Sequence, residues 1–175
     1  MGFKNLHNLN VALLAKQGWR LLTSVDSLLH KIFKARYFPK CSLFDSKIGF
    51  NSSYVWRGIY SALTLLRSRC LWRVGNGDQI KVFQDSWIPG IQKEDFQGVN
   101  QIPSHQNLRV KDLLDLDTGW WNVEILRALF NPRVVSQILK LNVSFTHDDS
   151  WYWASEKNGQ YSVCSGYNML QHAIY

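Results

Sequence analysis

The chain has 175 residues, 46% of them hydrophobic, and a formal charge of +7. That length allows one domain or two small subdomains with a real core, burying roughly 70% of the unfolded surface. No apolar run is long enough to span a bilayer, which excludes a transmembrane class. Cys41, Cys70 and Cys164 are too few and too scattered for a disulfide framework.

The charge is lopsided. Residues 1–73 hold twelve Lys and Arg against two acids, Asp26 and Asp45, a balance of +10; residues 74–175 balance to −3. A basic half of this density suits a polyanion, and nucleic acid before others. The plainer reading is a solvated surface rich in Lys and Arg.

In chain order, residues 9–22 predict a helix. Leu9, Ala12, Leu13 and Ala15 to Trp19 have helical spacing, and Lys16 and Arg20 fall four apart on one side. Gly18 weakens this helix by ~1 kcal/mol against alanine, unless it serves a close approach. A second helix starts near Ser24 or Asp26, with Leu28, Leu29, Ile32 and Phe33 as its expected buried stripe, and ends at Pro39. Ser52-Ser53 opens a third, whose stripe is Trp56, Ile59, Tyr60, Leu63 and Leu66.

Leu71–Trp87 reads as a β-hairpin turning at Asn76-Gly77. Trp72 and Val74 alternate before the turn, Ile80 and Val82 after it. From Pro89 to Asn107 the pattern fails, and a linker is expected. Helices follow over Leu108–Leu116, Trp121–Phe130 and Pro132 to about Leu141. A second hairpin at Asn158-Gly159 spans 151–163, and a last helix runs from about Ser165 to the end. The expected class is α+β, mainly helical. A basic region with its hairpin fills 1–88, a linker 89–107, and a smaller helical part with the second hairpin 108–175.

Catalytic patterns are hard to assemble. His7, His30, His105, His147 and His172 are scattered, without zinc spacing, so no metal and no cofactor is expected. Gly75-Asn76-Gly77 lacks the Lys-Ser/Thr of a phosphate loop. Asp148-Asp149 is an adjacent acid pair of the kind that can hold magnesium, but with no third acid nearby a turn or strand-entry role is favoured. Asp85 reads as a turn or cap residue. The two Asn-X-Ser matches, at Asn51 and Asn142, read as chance in a chain with no secretory signal at Met1.

The candidate nucleic-acid contacts are Lys16, Arg20, Lys31, Lys34, Arg36, Arg57, Arg67, Arg69 and Arg73, interleaved with Phe33, Tyr37 and Trp72. Cations neutralise phosphates, and aromatics can stack on unpaired bases. Phe33 and Trp72 are expected to be core instead, and Lys34 and Arg36 also suit a helix C-terminus.

A family resemblance lies in these same blocks. Gly2-Phe3-Lys4-Asn5-Leu6, Asn10, Ala12–Leu21, Ala35–Pro39, Ser53–Arg57, Trp72–Gly77, Ile80–Val82 and Asp85–Pro89 occur in this order. So ordered, they resemble the region after the polymerase core in plant non-LTR (LINE-type) retrotransposon reverse transcriptases. Trp153, Gly159, Tyr161–Val163 and Ser165–Tyr167 resemble the start of that family's zinc-binding region. The resemblance implies a thumb-like or connecting segment that grips a primer–template duplex. It also implies that the polymerase aspartates lie upstream, and the Cys/His cluster and ribonuclease H acids downstream.

The chain is therefore expected to be a non-catalytic fragment, inside the cell in nucleus or organelle. It should bind RNA or DNA weakly, with the missing polymerase and zinc-binding/ribonuclease H parts as natural partners and no membrane contact. The alternatives are a protein-interaction module and a non-functional transposon relic.

Overall fold

The computed structural model describes residues 5–91, 93–96, 107–115, 117–144 and 146–172. Among them the chain is α+β and mainly helical, with six α-helices and two small two-stranded sheets. It divides into two compact units, one made of residues 1–70 and 153–175, the other of 71–152. Residues 71–88 and 108–152, expected on opposite sides of a linker, fall in one unit. Most of the 89–107 stretch lies outside the described residues. Its Phe96 is nevertheless core, packed on Phe83 and Phe130 at ring distances of 5.7 and 5.8 Å.

The first unit is built on α1 (Leu6–Thr23), α2 (Leu28–Tyr37), α3 (Tyr54–Arg67) and α6 (Val163–His172). Each of the first three has a side-chain cap: Asn5, Ser27 and Ser53 accept from the backbone N–H of Asn8, His30 and Trp56. Ser27, rather than Ser24 or Asp26, caps α2. The α3 stripe packs as its spacing requires, with Trp56, Ile59, Leu63 and Leu66 buried and Tyr60 half-buried. Gly18 of α1 lies against that stripe. A Cβ there would meet Leu66 Cδ1 at 2.9 Å, so close helix packing offsets glycine's poor propensity. Tyr161 ties α1 down from another side, its hydroxyl donating to Ala12 O at 2.9 Å.

α2 departs from expectation. None of its residues is buried; Leu28 is 73% exposed and Ile32 53%. Of the expected stripe Phe33 docks, and with Tyr37 and the following Phe38 it surrounds Trp56. The rings bury more area per residue than the aliphatic stripe, and so decide which face turns inward.

Neither expected hairpin forms. β1 (Cys70–Arg73) pairs with β4 (Ser150–Trp153), not with Ile80–Val82. The 80–82 segment instead meets 108–110: Val110 N–H donates to Ile80 O and Val82 N–H to Leu108 O, each at 3.0 Å. A two-residue type I′ turn needs positive φ at both central residues. Gly77 has φ +72°, but among the described residues none other than glycine has positive φ, so Asn76 does not supply its half. At Asn158-Gly159 the chain turns back only as far as one bond, Trp153 N–H to Gly159 O at 2.8 Å. Val163 then begins α6, leaving no room for a return strand.

Beyond the turn, the second unit holds β2 (Leu114–Asp115), β3 (Trp120–Trp121), α4 (Val123–Leu129) and α5 (Pro132–Ile138). A 3-10 turn over Val110–Leu113 and β2 replace the helix expected over Leu108–Leu116. Trp121 belongs to β3, paired with Leu114, so α4 starts two residues later behind the Asn122 cap. Pro132 is at the start of α5 as expected. One core joins these pieces around Ile80, Val82, Trp87, Leu113, Leu126 and Ile138.

The cysteines occupy three environments. Cys70 is buried, and desolvation pushes its thiol pKa far up; Cys164 is exposed and Cys41 intermediate. Thiolate is the reactive form. A native-state titration with a thiol reagent should therefore label Cys164 first and reach Cys70 only on unfolding. Early labelling of Cys70 would contradict this packing.

Candidate nucleic-acid interface

The nine cations are divided between the two units. Arg73 belongs to the second unit, and the other eight to the first. Two of the eight are engaged internally. Lys16 Nζ donates to Tyr161 O at 2.7 Å, and Lys34 Nζ to Cys41 O at 2.6 Å while lying over the Phe38 ring. Both side chains are half-buried, and these bonds hold the fold together.

The remaining six are exposed. Arg67 donates to the Phe44 carbonyl and packs on its ring, which fastens the loop before α3. Arg57 donates from its Nε to Ser52 Oγ at 3.0 Å. Arg36 leans on the Tyr37 ring at 5.3 Å. For Arg20, Lys31 and Arg69 no side-chain partner is found among the described residues.

Two local features matter for what these groups can do. Tyr37 Oη and Ser53 Oγ are 2.8 Å apart, joining the end of α2 to the start of α3. Arg36 and Arg57 therefore flank one junction. Ten residues separate Arg57 from Arg67, about 15 Å along a helix, so the cations of α3 are spread along it. Tyr37 has its pKa lowered, chiefly by the hydrogen bond with Ser53 and to a lesser degree by Arg36.

No carboxylate pairs with these six among the described residues. In the second unit Lys111 pairs with Asp78 at 2.7 Å, which holds the Asp78 pKa down. In the first unit Asp45 is occupied by Ser42. Arg20, Lys34, Arg36 and Arg67 lie in the last turns of their helices. Carbonyl ends favour cations there by about 0.3–1 kcal/mol, so position alone does not demonstrate a ligand.

The second unit carries a feature that sequence reasoning gave a modest role. Asp149 is only 7% exposed, and its carboxylate accepts from three backbone N–H groups: Gly75 at 2.8 Å, Gly77 at 2.9 Å and Gln79 at 2.8 Å. Asp148 accepts from Asn76 Nδ2 at 3.2 Å. The acid pair thus organises the turn at 75–79. No group of three His, Cys, Asp or Glu residues is placed to hold a metal ion among the described residues, and no described helix is long and apolar enough to cross a membrane.

Comparison with known proteins gives two relatives from Arabidopsis thaliana. One is an uncharacterized mitochondrial protein, 39% identical over 88 residues, which are 50% of this chain and 57% of that protein. The other is named "Putative ribonuclease H protein" and is 29% identical over 175 residues, which are 97% of this chain but 28% of that protein. The chain thus spans less than two thirds of either relative. No protein-family model matches it, and no solved structure matches it significantly.

Proposed function

We propose that the chain is a non-catalytic segment of the kind found within retroelement reverse transcriptase and ribonuclease H proteins. Its first unit would hold nucleic acid by the phosphate backbone, without reading sequence. The observation that carries this is the set of exposed cations Arg20, Lys31, Arg36, Arg57 and Arg69, none paired with a carboxylate among the described residues. The similarity to a much longer protein named for ribonuclease H supports the origin. In an intact protein the catalytic parts would lie on other segments, and these would be its natural partners.

The test is anisotropy of a labelled duplex against the purified chain across a salt series. Five phosphate contacts predict a fall of log K with log salt at a slope near −4.5, at ~0.9 per contact. Replacing Lys31, Arg36 and Arg57 together by glutamine should flatten the slope by about 2.7 on the same basis. A slope near zero for the unaltered chain would remove the reading.

A second reading rests on a specific observation. Leu28, Ile32, Phe50 and Tyr54 are exposed in the same unit that carries the cations. Aromatics beside arginine are common anchors of protein interfaces. Capture of a protein partner that survives nuclease and high salt would favour that use of the surface.

A further inference from the structure

We propose that a cleft in the second unit takes an unpaired nucleobase of a single strand. The cleft is half-open, with a volume of about 630 Å³, within the range of small-molecule sites. Apolar groups line most of it, Trp72, Leu141 and Val143 among them, with Tyr152 at its side. The Arg73 guanidinium lies over the Tyr152 ring, 5.5 Å from its centroid. That pairing holds a cation at an aromatic wall, where a base could stack while its phosphate met the charge.

The rest of the lining suits a neutral polar edge. Ser144, Ser150 and Asn142 offer hydroxyls and an amide. Besides Arg73 and Tyr152, the titratable groups there are His147, whose Nδ1 lies 2.8 Å from Ser144 Oγ, and Asp148, which is engaged by Asn76. One cation against one occupied acid does not suit a multiply charged ligand. It does suit a planar base carrying a single phosphodiester.

Trp72 supplies a further clue. It is half-buried against Trp151, with ring centroids 4.1 Å apart, and its indole N–H has no acceptor among the described residues. That N–H is shielded from solvent in the present arrangement. A modest swing of the ring into the cleft would bring it to a base carbonyl or ring nitrogen. The proposal rests on the nucleic-acid reading of the first unit for its biological sense, but uses none of that unit's residues.

The experiment uses the full chain and three probes: an uncharged nucleoside, a short oligouridylate and a duplex. Millimolar nucleoside should shift the Trp72 indole N–H resonance in an NMR titration, which needs no phosphate contact. Tyr152→Leu and Trp72→Phe should each weaken oligouridylate binding by roughly 10-fold through lost stacking or hydrogen bonding, with duplex affinity and its salt slope unchanged. Thermal unfolding of both variants checks that the fold persists. An unmoved Trp72 resonance overturns the cleft whatever the duplex does. So does a variant that weakens duplex and single strand alike. A shifted Trp72 resonance without duplex binding keeps the cleft and removes the reading of the first unit.

Discussion

Replacing Trp56 with alanine should strongly destabilise the first unit and free α2 from it. Trp56 is fully buried in α3 and is ringed by Tyr37 at 4.7 Å, Phe38 at 5.9 Å, Tyr60 at 6.0 Å and Phe33 at 6.1 Å between centroids. Tryptophan-to-alanine changes in cores cost about 3–5 kcal/mol, a large part of a small domain's stability. Here the loss has a particular consequence. α2 has no buried residue of its own and is fixed mainly by these ring contacts, so it should detach before α1 and α3 part. Hydrogen exchange read residue by residue would show α2 amides exchanging fastest in the variant.

Trp56→Phe is the informative control. The indole N–H of Trp56 is buried with no partner among the described residues, a penalty of about 1–3 kcal/mol that phenylalanine would not carry. Phenylalanine should therefore cost clearly less than its smaller volume suggests. Urea unfolding that shows alanine and phenylalanine equally damaging would mean that the ring cluster does not hold this unit. Duplex binding should fall with the alanine variant too, because Lys31 and Arg36 ride on the helix that comes loose.

How much of this was legible in the sequence depended on the range of the interaction. The helices α1, α3 and α5 follow from spacing and caps a few residues apart, and their positions came out nearly right. Gly18 could be suspected of a close approach, but its neighbour Leu66 is on another helix. In α2 the helix itself was legible, and of its inward face only Phe33. Leu28 and Ile32 compose one apolar side, Leu29, Phe33 and Tyr37 another. Only the location of Trp56 decides between them.

The two Asn-Gly sites mark turns correctly but say nothing of which strands they join. β1 finds its partner in β4, far along the chain. Among the nine cations, the internal bonds of Lys16 and Lys34 were not legible, since the carbonyls they meet belong to Tyr161 and Cys41. A lysine's charge is visible in a sequence; the carbonyl it bonds is not.

The second large effect is expected at Asp149. Asp149→Ala should destabilise the second unit by about 3–5 kcal/mol, because it strips a carboxylate from three backbone donors at once. Hydrogen bonds to a charged group contribute ~1.5–3 kcal/mol, and buried donors left without a partner add a cost of ~1–3 kcal/mol. The three losses are not additive, since Gln79 is exposed and can turn to water, whereas Gly75 and Gly77 are buried. Asp149→Asn separates the parts. It keeps an oxygen for the Gly75 and Gly77 N–H groups, which share Oδ1, but sets an amide against the Gln79 N–H, which uses Oδ2. Less than the full loss is expected.

Asp148→Ala removes only an exposed bond to the Asn76 side chain and should stay within about 0.5 kcal/mol. Equal effects at Asp148 and Asp149 in urea unfolding would refute the assignment of Asp149 as the anchor. The consequence for ligand binding follows from place. Gly75 and Asp148 line the cleft, and Asp149 fixes the turn that begins at Gly75. Weakening that carboxylate should therefore abolish the nucleoside-induced shift of Trp72 before the unit as a whole unfolds.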